Sequence, residues 1–185
     1  IWGGSFLFMR MTVGAFGAIP LIEIRMIIGA LVLLPLMLMK YEWSSITQGL
    51  WSKMAIVGIF NTAIPFSLLA YSLHVFTSGM GSVLTATVPM FTAIIAYLWL
   101  NEQLTRSRIA GLVIGFIGVL VLVSDKLTVI GSEAGLALIA ALLATLSYGF
   151  SANYTRRYVV GIDPLVTSTM SLIMGALLLL PFALL

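Results

Sequence analysis

The sequence predicts an all-α integral membrane protein, a polytopic helical bundle with inverted five-helix repeats: roughly ten helices in full length, about seven of them present here. Three observations carry this: composition, the lengths of the apolar stretches, and an internal repeat. Of 185 residues, 61% are apolar and 8% charged, whereas soluble domains hold about 45–50% apolar and about 25% charged residues. Nine basic and six acidic residues cannot clothe a water-soluble surface. Apolar runs this dense also exclude disorder, collagen and coiled coil. The absence of Cys removes disulfide frameworks and thiolate metal sites. The net charge is +3, but the basic residues stand singly or in pairs, so no nucleic-acid surface is implied.

Crossing about 30 Å of hydrocarbon takes about 20 mostly apolar residues as a helix. The first stretch, 1–16, is short and carries Arg10 with no charged region ahead of it, so it is not a signal peptide. The chain opens Ile1-Trp2-Gly3-Gly4 and closes inside the run 177–185. It is therefore expected to be a piece cut within its first and last spans. The second stretch, 19–39, follows the turn Gly17-Ala18, and the third, 53–73, follows the polar segment 40–52. The fourth, 78–100, starts at the break around Thr77, and the fifth, 107–123, follows the turn 101–105. The sixth, 134–158, follows an expected loop at 125–132, and the seventh, 164–185, follows Gly161-Ile162-Asp163. Strands of about ten residues with strict alternation, which a β-barrel needs, do not occur.

Loop cations set orientation. Lys40, Lys53, Arg106, Arg108, Arg156 and Arg157 fall in even-numbered loops, and Lys126 alone in an odd-numbered one. Even-numbered loops, and the N-terminus with them, are expected in the cytoplasm, with the protein in the inner membrane. Laid on itself at an offset of 146 residues, the chain pairs Gly3 with Gly149, Ser5 with Ser151 and Arg10 with Arg156. The same offset puts Gly29-Ala30 on Gly175-Ala176 and Pro35 on Pro181. The offset spans an odd number of helices, so the copies run oppositely through the membrane, as in many secondary transporters. The first repeat is expected over 1–124, with the start of the second over 125–185.

These residues resemble a family. Trp2-Gly3-x-Ser5-Phe6 with Arg10, Arg25, and Leu33-Leu34-Pro35 look like the opening of an EamA domain. Pro89-Met90-Phe91-Thr92-Ala93, then Leu100-Asn101-Glu102-Gln103-Leu104-Thr105, then Gly111, Gly115, Gly118 and Val119, resemble its end. The resemblance, to the ten-helix branch of the drug/metabolite transporter superfamily, covers the whole chain. It implies transport of small polar metabolites, often outward. Glu23 departs from the family pattern, which usually has a small or apolar residue there.

Arg10, Glu23 and Arg25 are the charges placed well inside spans. A charge at the bilayer centre costs about 2.5–3.5 kcal/mol by insertion scales, so it normally faces the bundle interior with a partner. Arg10 and Arg25 are expected at similar depth, as an outer mouth for substrate carboxylates, with Glu23 as a coupling group. The competing reading is a Glu23–Arg ion pair, or Arg side chains snorkelling to headgroups. Pro65 and Pro89 lack an N–H and should free the carbonyls of Asn61 and Thr85. Two kinked helices with Asn61, Pro65, Thr85 and Pro89 would then frame a cavity with the first helix. The alternative is that Ser and Thr hydroxyls merely satisfy those carbonyls. Repeat symmetry points Tyr148, Ser151 and Asn153 at the same site. His74, at a helix end, reads as interfacial. Gly111, Gly115 and Gly118 form a close-packing stripe, within the monomer or across a homodimer.

Other functions find less support. No G-x-S-x-G, H-E-x-x-H or phosphate-loop string occurs, and Asp125 and Asp163 lie on opposite sides, so an intramembrane enzyme is disfavoured. Rings of like charge suited to a channel are absent from the sequence. A non-transporting structural subunit remains as the third class. The expected protein is not an enzyme, uses no metal or other cofactor, and has as partners a small-molecule metabolite and the lipid bilayer.

Overall fold

The computed structural model describes residues 2–41, 48–130 and 132–184, and the elements among them are helical. Residues 42–47 of the expected second loop lie outside the described residues. In chain order the elements are α1 (Trp2–Phe16), α2 (Ala18–Lys40), α3 (Gln48–Gly58), a π-helical turn (Ile59–Ala63), α4 (Ile64–Val75), α5 (Ser78–Thr85), α6 (Val88–Leu100), α7 (Arg106–Ile130), α8 (Ser132–Tyr158) and α9 (Pro164–Ala183). Among the described residues six runs are long and apolar enough to span a bilayer: Ala18–Lys40, Gly49–Val75, Ser78–Leu100, Arg106–Ser124, Glu133–Tyr158 and Pro164–Ala183. The chain is a multi-pass membrane protein. The shorter α1 ends at Gly17, whose φ of 79° is a backbone conformation suited to glycine.

Residues 125–130 of the expected loop at 125–132 are helical. α7 continues to Ile130, because nothing between Ser124 and Ile130 is Gly or Pro and no residue there stops a helix. Residue 124, where the first repeat is expected to end, stands within α7.

α8 is the hub. Its small residues Ala134, Ala137, Ala141 and Ala144 are buried, which lets α4 lie close along it, while α6 packs on its flank. α2 and α9 form a second pair, with α3 against α9. At the end of α2, Lys40 Nζ and Tyr41 Oη both donate to Asp163 Oδ2, at 3.0 and 2.6 Å. The other oxygen of Asp163 accepts from Leu165 N at 2.8 Å and caps α9. Hydrogen bonds from Tyr41, then from Lys40 and Leu165, hold the Asp163 carboxyl down at about 2. Between the same helices, a Cβ on Gly29 would stand 3.1 Å from Leu172, and one on Gly175 would stand 3.0 Å from Met26 Sδ. α7 faces outward with Ile114, Leu120 and Val121 exposed, as suits a lipid-facing helix.

Candidate functional site

Two prolines shape the site. Ahead of Pro65, Ile64 N donates to Ile59 O, five residues back, so the helix widens into a π-turn. The next carbonyl, on Phe60, would need the N–H that Pro65 lacks. Ser147 of α8 donates to it instead, Oγ to O at 2.9 Å. The orphan acceptor is thus at Phe60, one residue before the Asn61 carbonyl that a regular α-helix predicts, because the π-turn shifts the register. Ahead of Pro89 the α-helix is interrupted by a tighter turn at Ala86 and Thr87, between α5 and α6, whose N–H groups reach back only three residues, to Val83 O and Leu84 O. Thr87 Oγ1 bonds Leu84 O at 2.7 Å and Thr145 Oγ1 of α8 at 3.0 Å.

A cavity of about 530 Å³ lies where α1, the π-turn, α4, the α5–α6 turn and α8 meet. Phe6, Asn61, Phe66, Thr85, Val88, Tyr148 and Ala152 line it. Asn61, Thr85 and Tyr148 are therefore brought together among carbon walls. The Tyr148 hydroxyl is buried with no hydrogen-bond partner, and its ring meets Phe66 edge-on at 6.0 Å. Thr85 Oγ1 donates to Ser82 O, one turn back on its own helix. Behind Phe66 lies Arg25, its guanidinium carbon 4.2 Å from the ring centroid. Arg25 also lines a second hollow of about 300 Å³ with Ser5, Phe8, Met9, Thr12, Leu21 and Ile22. Phe66 thus touches the cation and also lines the larger cavity.

The remaining expected residues are spread out. Arg10 is exposed and lines neither hollow, although it stands one turn after the buried Phe6 and one turn before the buried Val13 on α1. Pro65 is buried beside the cavity and Pro89 is exposed. The Ser151 hydroxyl is buried without a hydrogen-bond partner. Asn153 Nδ2 donates to Thr92 O and Gly149 O, both at 2.9 Å, tying α8 to α6. Glu23 is 5% exposed and its Oε2 has no hydrogen-bond partner. Among the described residues the ion pairs are Lys40–Asp163 and Arg156–Glu102, so the expected alternative of a Glu23–Arg pair is not formed. Of the glycine stripe, Gly115 lies under Met90, while Gly111 and Gly118 face open space.

Sequence reasoning missed Phe6, Phe66, Val88 and Ala152 in the lining, and Ser147. The aromatics read as ordinary apolar residues. Ser147 carried one usable signal: a hydroxyl one position before Tyr148, on a helix already expected to meet the kinks.

A bundle of membrane-spanning helices, two of them irregular exactly where they line a cavity, has the build of a membrane transporter. Residues 1–124 match the model of the EamA-like transporter family, and the chain belongs to that family. It is 28% identical over 183 residues to the uncharacterized transporter YoaV of Bacillus subtilis strain 168, covering 99% of this chain and 63% of that protein. An uncharacterized transporter of Archaeoglobus fulgidus is 22% identical over 183 residues, 98% of this chain and 63% of its own length. The uncharacterized inner membrane transporter YedA of Escherichia coli K12 is 23% identical over 181 residues, 97% of this chain and 58% of its own length. The chain thus spans less than two thirds of these relatives. No solved structure matches.

Proposed function

We propose that the full-length protein is a secondary transporter, working as an exporter, that moves a small polar or amphipathic metabolite across the cytoplasmic membrane by alternating access. The observation that carries the reading is the cavity of about 530 Å³ framed by both proline-disrupted spans. Its size falls in the roughly 300–1,000 Å³ range of small-molecule sites. Asn61, Thr85 and the Tyr148 hydroxyl are the hydrogen-bonding groups offered to substrate, and Ser151 joins them when α8 turns. Pro65 and Pro89 hold the kinks that expose these groups. Arg25 and Arg10 are the cations offered to a substrate carboxylate. Glu23 is the coupling group, its buried carboxyl free to take up and release a proton as the site changes sides.

Alternating access needs two halves that rock against each other, and the α2–α9 interface supports an inverted repeat. At the offset of 146, Gly29 corresponds to Gly175 and Met26 to Leu172. Gly29 lies against Leu172 and Gly175 against Met26. That reciprocity is the signature of a two-fold axis. The N-terminus lies in the cytoplasm, with Arg106, Arg108, Arg156 and Arg157 on that side. Gly111 and Gly118, open on α7, are free to pack against later helices or a second subunit.

The test compares metabolites in medium and cytoplasm of cells overexpressing the full-length protein and of cells lacking it. A compound that leaves the cell in step with expression establishes export and names the substrate class. Arg25→Ala and Tyr148→Phe, at matched membrane abundance, should each reduce that flux. Unchanged flux in both refutes the assignment of the cavity, and no moving compound under several growth conditions refutes the exporter.

A further inference from the structure

A second arrangement lies at the C-terminal end of α8, on the side turned away from the cavity. The Arg157 guanidinium carbon lies 5.4 Å from the Trp99 ring centroid. Trp99 stacks on Phe150 at 5.3 Å with the planes 6° apart, and Phe150 meets Phe60 at 4.7 Å. Tyr154 and Tyr158 continue the ladder at four-residue spacing along α8, their rings 4.9 Å apart. A hollow of about 350 Å³, lined by Trp99, Leu100, Asn101, Arg156 and Arg157, sits at the charged end. An apolar groove of about 440 Å³ lies at the other end, and Phe60, Ile95, Leu143 and Phe150 are among its walls.

Charge, length and side together select an occupant. Arg156 is neutralised by Glu102. Among the described residues Arg157 makes no ion pair; it touches the Trp99 carbonyl at 3.4 Å and the rings of Trp99 and Tyr158. The hollow is therefore net positive. At about 1.5 Å of rise per residue, Leu143 lies about 21 Å along α8 from Arg157. One leaflet supplies about 15 Å of hydrocarbon, half of the roughly 30 Å core, and its headgroup layer accounts for the rest. At about 100° per residue, Leu143, Leu146 and Phe150 share a face of α8 opposite that of Tyr148 and Ala152, which line the cavity. The groove therefore opens on the outer surface of the described helices, where Ile64, Leu143 and Leu146 are exposed. A scattered interfacial belt of Trp and Tyr would not align a cation, a stacked ladder and an apolar groove on one helix face.

We infer that this face is a binding site for one anionic phospholipid of the surrounding bilayer, its phosphate beside Arg157 and an acyl chain in the groove at Phe60 and Phe150. The test is native mass spectrometry of the full-length protein released from neutral detergent containing equal phosphatidylglycerol and phosphatidylcholine. One phosphatidylglycerol should be retained in preference to phosphatidylcholine. Arg157→Gln should lower that retention about fivefold, the worth of one cation near an anionic headgroup. Arg108→Gln, at the exposed start of α7, should leave it unchanged, and Leu143→Trp, which fills the groove, should lower it. Equal retention of the two lipids, or retention indifferent to Arg157→Gln, overturns the site. Retention lost to inorganic phosphate yet indifferent to Leu143→Trp overturns it in favour of a free anion. A photo-crosslinking residue at position 143 should label phospholipid, and a link to another segment of the chain overturns the lipid as occupant.

Discussion

Pro65 and Pro89 impose the same defect, one missing N–H inside a membrane span, and the protein resolves it in opposite ways. At Pro65 the helix stays continuous, widening by a π-turn, and the carbonyl left over at Phe60 is taken by Ser147. At Pro89 the helix instead tightens, with Ala86 and Thr87 bonding three residues back before α6 begins, and Thr87 is hydrogen-bonded to Thr145. In both cases the donor or partner comes from α8. A membrane offers no water to satisfy an open carbonyl, and at Pro65 the neighbouring helix supplies the donor in its place. Pro35 and Pro181 lie inside α2 and α9 without a break, which shows that proline alone does not produce a kinked site.

The largest expected effect tests the contact that seats α8 against the second of these spans. A Cβ on Gly149 would lie 2.9 Å from Thr92 N and 3.0 Å from Phe91 C, both backbone atoms that cannot swing aside. Gly149→Leu should cost about 1–3 kcal/mol or more, read as a lowered unfolding midpoint of the full-length protein in detergent. Next comes Ser147→Ala, which strands the Phe60 carbonyl at a cost of about 1–3 kcal/mol. The comparison is sharpened by repeating it on a Pro65→Ala background. There residue 65 regains its N–H, the helix can return to α register, and removal of the Ser147 hydroxyl should become nearly neutral. An undiminished cost would break the account of the π-turn. Thr145→Val should cost less, about 0.6 kcal/mol by the average for hydrogen bonds between membrane helices, because Thr87 retains Leu84 O. The smallest effect lies away from both prolines, at Asp163. Its folded value of about 2 is below the ordinary 3.8, so the ionised carboxylate favours the fold. That contribution is complete above about pH 4 and is lost as the pH falls toward about 2. Asp163→Asn should abolish this acid limb in an unfolding titration while leaving the Ser147 and Thr145 effects unchanged.

Those two prolines also mark how far the sequence could be read. The apolar stretches foretold the spans, since length and hydropathy are local properties. Pro65 and Pro89 foretold irregular helices near Asn61 and Thr85, both of which line the cavity. The register of the π-turn was not legible, because it depends on a hydroxyl on α8, far along the chain. Arg10 and Arg25 looked equivalent because sequence distance measures depth, whereas the neighbours packed on each helix decide what a side chain meets: Arg25 lies over Phe66 and lines a hollow, and Arg10 lines none. The turn expected at 125–132 rested on its polar residues and on Gly131 near its far end, and without Gly or Pro before Ile130 the helix ran on to that point. Phe66 was overlooked because an aromatic in an apolar span carries no mark of its role until Arg25 is seen to lie over it.

The pairing of α2 with α9 has a consequence in time. Lys40 and Asp163 are 123 residues apart. At about 5–20 residues per second of synthesis, α2 is complete about 6–25 s before its partner's first residue exists. During that interval the face carrying Met26, Gly29 and Met37 must be held by lipid or by the insertion machinery. This seam between α2 and α9 is thus one of the later contacts to become available, since it cannot close before α9 has been made.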